Sequence, residues 1–198
     1  MITVDLKDVP VLWISMQNSH RKKTTMKKIF SSFGFKKVKR IEAINAKKYN
    51  LPHHVALIKS YQRAFQYAPK DNFIILEDDC VPRRIVTKIK IPSDTDCFYL
   101  GLSKWGVGES GSGEWETHSF ETVGELYRVK NMLATHAIYY RTNEWKNACR
   151  QSLIESLEND VPLDVGYVSI QPKYKVYCGD PIFYQSGYNY RSTNFALD

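Results

Sequence analysis

The first 80 residues alternate between short apolar runs and longer segments with helical periodicity, and this alternation restricts the fold more than any other feature of the chain. Residues 11–16, 38–44 and 73–76 are rich in β-branched and other apolar side chains, which predicts three strands. Apolar residues recur every three or four positions over residues 26–33 and 52–68, which predicts two helices. Strand, helix, strand, helix, strand is the order of an α/β domain whose sheet is mostly parallel, with helices on both faces.

The rhythm changes beyond residue 90, although no internal repeat or linker divides the chain. We expect one domain spanning residues 1–198, because this length is enough to bury one sizeable core. Further strands are predicted over 97–102, 123–129, 136–140 and 173–178, with a helix from Thr142 or Asn143 to Leu157, a loop over 103–118 and a polar aromatic tail from Phe183.

Charge and cysteine content narrow the functional classes. The formal net charge is +7, and residues 1–50 hold 12 Lys and Arg against 3 Asp and Glu. These cations could face a polyanion, a membrane surface or a nucleotide phosphate, or could be solvated faces of helices and strands. The four cysteines form no C-x-x-C pair, which argues against a zinc module or a redox motif and predicts buried free thiols. No apolar stretch approaches the roughly 20 residues that span a bilayer, so a soluble protein in the reducing cytoplasm is expected.

Three carboxylates, Glu77, Asp78 and Asp79, directly follow the most apolar predicted strand. In open α/β sheets, ligands bind beyond the carboxyl ends of the strands. Adjacent carboxylates repel one another, so they persist most easily where a cation neutralises them. Mg²⁺ and Mn²⁺ prefer oxygen ligands and complete their shells with water and substrate phosphates, which points to a diphosphate substrate. The alternative is that these residues only cap the following turn.

The segment from Ile74 to Val81, Ile-Ile-Leu-Glu-Asp-Asp-Cys-Val, resembles the acidic motif of glycosyltransferases of the type-A fold. It is most similar to that of the family 25 lipopolysaccharide and collagen sugar transferases, where the motif does the work of the D-x-D signature. In size the chain resembles the minimal glycosyltransferase domains encoded by large DNA viruses of algae. Further segments agree in order: Ser15-Met16 with Arg21, Gln62 to Phe65, Ala134 to Ala137 with Tyr139, and Pro162 to Asp164. Ala56-Leu57 stands where family 25 members usually carry Ser-His, so the donor contacts of that pair are not carried over.

The resemblance implies a type-A fold and transfer of a hexose or deoxyhexose from a UDP sugar to a hydroxyl of a glycan or glycoprotein. By this similarity Asp79 and Asp78 hold Mn²⁺ or Mg²⁺ against the diphosphate, while Glu77 supports the strand end. About residues 1–102 form the nucleotide-binding half, and about residues 103–198 bind the acceptor. Besides Asp78, the residues expected to bind the donor are Ser15, Met16, Arg21, Ala43 and Asn45 in the first half and Arg191 in the tail.

Asp164, between Leu163 and Val165, is the candidate general base for an inverting transfer, or alternatively a helix N-cap. His136 contacts acceptor or metal in one interpretation and is a core histidine in the other. The Gly- and Trp-rich loop from Trp105 to His118 is either a flap over the sugar or a plain surface loop.

Two other functions also fit the sequence. Metal-dependent phosphoryl transfer or nucleic-acid cleavage uses clustered carboxylates as well, and Asp164 and Asp180 are the obvious distant partners for it. A non-catalytic polyanion-binding module would rely on the basic N-terminal residues. Neither is the first expectation, so we expect no nucleic-acid partner; if the chain is viral, it would act in the host cytoplasm.

Overall fold

A computed structural model of the protein describes residues 1–16, 20–103, 105–108, 111–114 and 120–186; the side chains of residues 20–22, 108 and 111–114 are outside that description as well. The strands are β1 (Ile2–Asp5), β2 (Val11–Ser15), β3 (Val38–Glu42), β4 (Phe73–Glu77), β5 (Cys80–Pro82), β6 (Lys88–Ile91), β7 (Cys97–Gly101), β8 (Trp105–Gly108), β9 (Gly111–Glu114), β10 (Phe120–Val123), β11 (Leu126–Val129), β12 (Ala137–Tyr140) and β13 (Val176–Gln185). The helices are α1 (His20–Phe33), α2 (Ala46–Tyr49), α3 (His53–Tyr67), α4 (Asn143–Glu158) and α5 (Leu163–Ile170), followed by a 3₁₀ turn at Gln171–Lys173.

The central sheet has the strand order β10-β11-β13-β7-β12-β4-β2-β3, and β5 pairs with the far end of β13. The strand pairs β2–β3, β2–β4 and β7–β13 are parallel, whereas the other pairs are antiparallel. The prediction of a mostly parallel sheet is therefore wrong, and the sheet is mixed. The physical reason lies between β7 and β12, where the described residues form no crossover helix that returns the chain to the starting edge, so β12 runs antiparallel to both neighbours.

Helices cover both faces of this sheet, as the sequence predicts. On one face, α1 packs Met26, Ile29 and Phe33 against a buried cluster that also includes apolar residues of β2 and β4. On the other face, α3, α4 and α5 bury a second cluster that includes Tyr61 and Trp145. Each face therefore has its own core, and the central strands supply alternate side chains to both.

The amino-terminal unit confirms the predicted strand–helix alternation and places a crevice at its centre. β2 lies between β3 and β4 and is parallel to both. The first crossover, through α1, leads from β2 to β3, and the second, through α3, leads back past β2 to β4. The two connections therefore run in opposite directions along the sheet, and such a reversal leaves an open crevice beyond the carboxyl ends of the strands.

Several boundary signals act as expected. Pro52 precedes α3, Thr142 caps α4 by accepting a hydrogen bond from Trp145 N, and Gly34 closes α1 with a left-handed φ of 68°. All four cysteines are buried and free, as predicted. No helix among the described residues is long and apolar enough to cross a membrane.

Other expectations need correction. Residues 123–129 form parts of two strands, not one, because Gly124 takes a left-handed φ of 63° and turns β10 back onto β11. The segment predicted as a loop over 103–118 contains the antiparallel pair β8 and β9. The sequence analysis indicated α5 only through the alternative that Asp164 caps a helix, and it did not predict the short strand β5 or the pairing of β1 with β6.

Candidate active site

A cavity of about 990 Å³ opens at one edge of the central sheet. Parallel orientation brings the carboxyl ends of β2, β3, β4 and β7 to this edge. The antiparallel β12 begins there, so Leu133, Ala134 and Thr135 also face the cavity, and the start of α5 lines it as well. The volume is at the upper end of the range of about 300–1,000 Å³ that is usual for small-molecule sites.

The predicted site residues that the structure describes with their side chains all line this one cavity: Ser15, Met16, Ala43, Asn45, Asp78, Asp79 and Asp164. Two predicted residues cannot be placed in this way. Arg21 lies in α1, but its side chain is outside the described part of the structure, and Arg191 is outside the described residues altogether.

Asp78 and Asp79 form the two-residue turn between β4 and β5. The carboxylate of Asp78 accepts a hydrogen bond from the backbone N–H of Met16 at 3.3 Å, which ties it to the end of β2. The carboxylate of Asp79 accepts one from the side-chain amide of Gln185 at 3.0 Å, and its backbone carbonyl accepts one from Ser186 N at 2.7 Å. The two neighbouring aspartates are thus held by opposite parts of the sheet.

Glu77, the third carboxylate, is half-buried and also lines the cavity. Its Oε1 accepts hydrogen bonds from the hydroxyl of Tyr61 in α3 and the hydroxyl of Thr135, each at 2.7 Å. Burial, together with the neighbouring charge of Asp79, raises the pKa of Glu77 to about 7. The two hydrogen bonds tie the end of β4 to α3 and to the segment before β12, which is compatible with the supporting role predicted for Glu77.

The ends of β2 and β3 are joined by a second set of contacts. The carbonyl of Ser15 accepts hydrogen bonds from Ala43 N at 3.0 Å and from the guanidinium of Arg40 at 3.2 Å. Asn45 caps the short helix α2, since its side-chain oxygen accepts a hydrogen bond from Lys48 N at 3.0 Å. The wall next to the carboxylates is therefore a continuous, hydrogen-bonded surface of strand ends.

Asp164 occupies the first turn of α5 and lines the cavity. The N-cap of this helix is Pro162, so the alternative that Asp164 caps the helix is wrong. Its Oδ1 accepts a hydrogen bond from Val165 N at 3.1 Å, and burial raises the pKa of its carboxyl above the usual value. A carboxylate with a raised pKa is a better proton acceptor than an exposed one.

His136 is a core residue and not a cavity residue, as the second of its two predicted interpretations requires. Its side chain is 1% exposed and lies so close to Gly101 that a Cβ there would be 2.1 Å from Nε2. Burial lowers the pKa of the imidazole to about 4, which keeps it neutral at physiological pH.

Several residues of the site were not predicted as site residues. Tyr61, Thr135 and Gln185 hold the carboxylates but lie far from them in sequence, so no local motif signals them. Unpredicted residues that line the cavity also include Lys47, His53, His54 and Ser103. Trp105 lines the cavity as well, at the start of the loop for which a flap over the sugar was one interpretation. His54 contacts Asp160 at 2.8 Å.

The donor set was tested for its fit to a divalent cation. Asp78 and Asp79 present hard oxygen ligands toward the cavity, which is the chemistry that Mg²⁺ and Mn²⁺ take. Among the residues that the structure describes, no group of three or more His, Cys, Asp or Glu side chains is arranged to hold a metal by itself. A cation here would use one or two protein carboxylates and would take its remaining ligands from substrate and water, as Mg²⁺ commonly does.

The fold is similar to that of a solved viral protein. No protein-family model and no curated protein sequence matches the chain. A glycosyltransferase involved in the glycosylation of the major capsid of the large algal virus PBCV-1 aligns with a TM-score of 0.53 and 11% identity, covering 91% of this chain and 95% of that one. A protein from STIV aligns at a TM-score of 0.39 and 12% identity over 88% of this chain and 83% of that one. The mixed α/β fold of this chain is that of a glycosyltransferase-like domain.

Proposed function

We propose that the protein is a glycosyltransferase that moves a hexose or deoxyhexose from a UDP sugar to a hydroxyl of a glycan or glycoconjugate. The observation that carries this proposal is one cavity that is lined by the ends of β2 and β3, by the Asp78-Asp79 turn and by Asp164. The fold likeness to the PBCV-1 glycosyltransferase supports the reaction class. Residues 1–102 would then supply most of the donor site, and residues 103–198 the acceptor site, within one domain.

The leaving group sets the first chemical requirement. Sugar transfer releases a nucleoside diphosphate, so negative charge develops on its phosphates while the anomeric carbon gains oxocarbenium character. Asp79 and Asp78 would hold Mn²⁺ or Mg²⁺, which supplies Lewis-acid stabilisation of that charge when bound. Each carboxylate has about four lone-pair positions, so the hydrogen bonds from Gln185 and Met16 do not exhaust its capacity to bind a cation.

The strand ends next to the carboxylates would hold the nucleoside. Ser15, Met16, Ala43 and Asn45 form a wall of the cavity whose backbone is fixed by contacts between β2 and β3. Such a rigid wall suits recognition of a planar base and a ribose, because its polar groups keep their positions without substrate. Lys47, on the same wall, adds a positive charge.

The acceptor hydroxyl sets the second requirement. An inverting transfer needs a base that removes the hydroxyl proton as the new glycosidic bond forms. Asp164 would take this role, because it faces the cavity from α5 and burial raises the pKa of its carboxyl.

The structure weakens the rival of nucleic-acid cleavage. Asp180, one of the two distant carboxylates that this chemistry could draw on, is paired with Arg83 at 2.6 Å and Arg84 at 3.4 Å and does not line the cavity. A polyanion-binding module would leave the enclosed carboxylate cavity unused. A nucleotide-sugar site therefore accounts for more of the cavity than either alternative.

Calorimetric titration of UDP into the protein with Mn²⁺, with Mg²⁺ and with a chelator tests the proposal. We expect binding that requires metal in the parent protein and is lost in Asp79→Asn, because the amide retains the size of the side chain but not its charge. Asp94→Asn is the matched control, since Asp94 is exposed and does not line the cavity; it should bind UDP as the parent does.

Absence of UDP binding by the parent under all three conditions would sink the UDP-donor assignment. Equal binding by Asp79→Asn and the parent would remove the metal role of this carboxylate. After metal-dependent binding is established, hydrolysis of a panel of UDP sugars, compared with hydrolysis of nucleic acid, separates sugar transfer from the phosphoryl-transfer rival.

A further inference from the structure

The orientation of Asp79 is set from the other end of the chain. Asp79 is the second residue of a two-residue turn, so pairing within a strand does not fix its side chain. The following strand, β5, is short, and it pairs with the end of β13 so that Cys80 lies opposite Gln185. This pairing places Gln185, the last residue of β13, and Ser186, the residue after it, beside the turn.

Both of these residues bind Asp79. The backbone N–H of Ser186 donates to the Asp79 carbonyl at 2.7 Å and fixes the main chain of the turn. The Gln185 amide donates to the carboxylate Oδ2 at 3.0 Å and fixes the side chain. Gln185 itself is half-buried and lines the cavity, so this contact lies at the edge of the candidate donor site.

The chemistry of glutamine suits this position better than that of the other polar residues. A neutral amide can hold one carboxylate oxygen without neutralising the charge that a cation needs. A lysine would compete with the cation, and a glutamate would repel Asp79. An asparagine would be one methylene shorter than the 3.0 Å contact allows without movement of β13. Groups that orient metal ligands in this way commonly contribute about 10- to 100-fold to metal affinity.

We infer that Gln185 is a positioning residue that fixes the Asp79 carboxylate for binding of the divalent cation and the donor diphosphate. This inference rests on the proposed function and adds to it a residue 106 positions from its partner that contacts no reacting atom. The role requires the amide N–H of Gln185, and not merely a side chain that fills the space.

The test measures UDP affinity by calorimetry with Mn²⁺ and with a chelator, for the parent, Gln185→Ala and Gln185→Glu. We expect the affinity with Mn²⁺ to fall by about 10- to 100-fold in both variants. The thermal midpoint of unfolding should stay at the parent's value, and so should any weak UDP affinity that the parent has in chelator. A variant that had lost its overall structure would change both quantities.

Gln151→Ala is the matched control. Gln151 donates to the carboxylate of Glu155 at 3.0 Å on the exposed surface of α4, so this variant removes the same kind of bond away from the cavity. It should leave UDP affinity unchanged. Parent-like affinity with Mn²⁺ in Gln185→Ala or Gln185→Glu would overturn the role of Gln185 alone, whereas a parent that binds no UDP would overturn the proposed function and this role together.

Discussion

At the scale of single residues, three adjacent carboxylates differ because their surroundings differ. All three line the cavity, but Glu77 is held by Tyr61 and Thr135, Asp78 by Met16, and Asp79 by Gln185. Burial and the neighbouring charge of Asp79 raise the pKa of Glu77 to about 7, although the hydrogen bonds that it accepts from Thr135 and Tyr61 lower it.

Glu77→Gln should remove a pH dependence of stability. The pKa of Glu77 is about 7 in the folded protein against an ordinary value of 4.5, so the folded state keeps a proton that the unfolded state releases. The stabilisation is complete below the unfolded value of 4.5 and is lost as the pH rises through 7. We expect the parent to lose up to about 3 kcal/mol relative to Glu77→Gln between pH 5 and pH 8.

Urea denaturation in the presence of a chelator, at pH 5 and pH 8, measures this difference. Other titrating groups act on both proteins alike, so only the difference between their pH dependences counts. Parallel curves for the parent and Glu77→Gln would contradict a raised pKa for this group.

At the scale of elements, α5 is held against α4 by a close approach of small residues. A Cβ on Gly166 of α5 would lie 2.2 Å from Ser156 Oγ and 2.8 Å from Ser152 Oγ of α4. Both distances are shorter than van der Waals contact, so a methyl group at position 166 requires the serine side chains or the helix itself to move. This contact positions the helix whose first turn carries Asp164.

Gly166→Ala should therefore destabilise the protein, by about 1–3 kcal/mol, because the added methyl group forces α5 away from α4. Thermal or urea denaturation measures the change. Ser156→Ala alone should have little effect, and the double variant should recover part of the loss, since removal of Oγ opens space for the methyl group. Additive effects of the two changes would show that the contact does not limit the packing.

The elements that the sequence predicted are those whose signals are local. The alternation over residues 11–76 survives in the structure, because hydrophobic periodicity and terminators such as Pro52 and Gly34 act over a few residues. Pairings such as Ile2 with Ile91 depend on strands 89 positions apart, which no local pattern reveals. The eight-residue α5 is too short for a clear period.

The candidate site, like the fold, has one part that the sequence predicted and another part that it did not. The strand ends at Ser15, Ala43 and Asp78 were predictable, because parallel strands bring their carboxyl ends to one edge. The groups that orient the carboxylates were not, because Thr135 is 58 positions from Glu77 and Gln185 is 106 from Asp79. Their contacts exist only after the antiparallel strands β5 and β12 have joined the sheet.

At the scale of the whole molecule, two cores share one sheet, and each contains thiols. Cys80 belongs to the core beneath α1, whereas Cys97, Cys149 and Cys178 belong to the core beneath α3, α4 and α5. Burial raises the pKa of all four thiols above the usual value. Reaction of these groups with a thiol reagent therefore requires opening of the core that contains them.

We expect the native protein to react slowly with a chromogenic disulfide reagent and to release all four equivalents at once in denaturant. Labelling followed by intact mass spectrometry at increasing urea concentration measures the order of exposure. Because both cores share the sheet, we expect each molecule to carry either no label or four labels, without a stable intermediate. A fast-reacting thiol in the native protein, or a long-lived species with one label, would contradict this packing.

The hydrogen bond between Gln185 and Asp79 also relates the site to the order in which the chain is synthesised. Asp79 leaves the ribosome early, but the residue that orients it follows 106 positions later, at the end of β13. A nascent chain that ends before β13 already contains both aspartates of the turn and lacks the contact that aligns the second of them. With the role proposed for Gln185, tight binding of the cation would be a property of the completed sheet and not of the nascent chain.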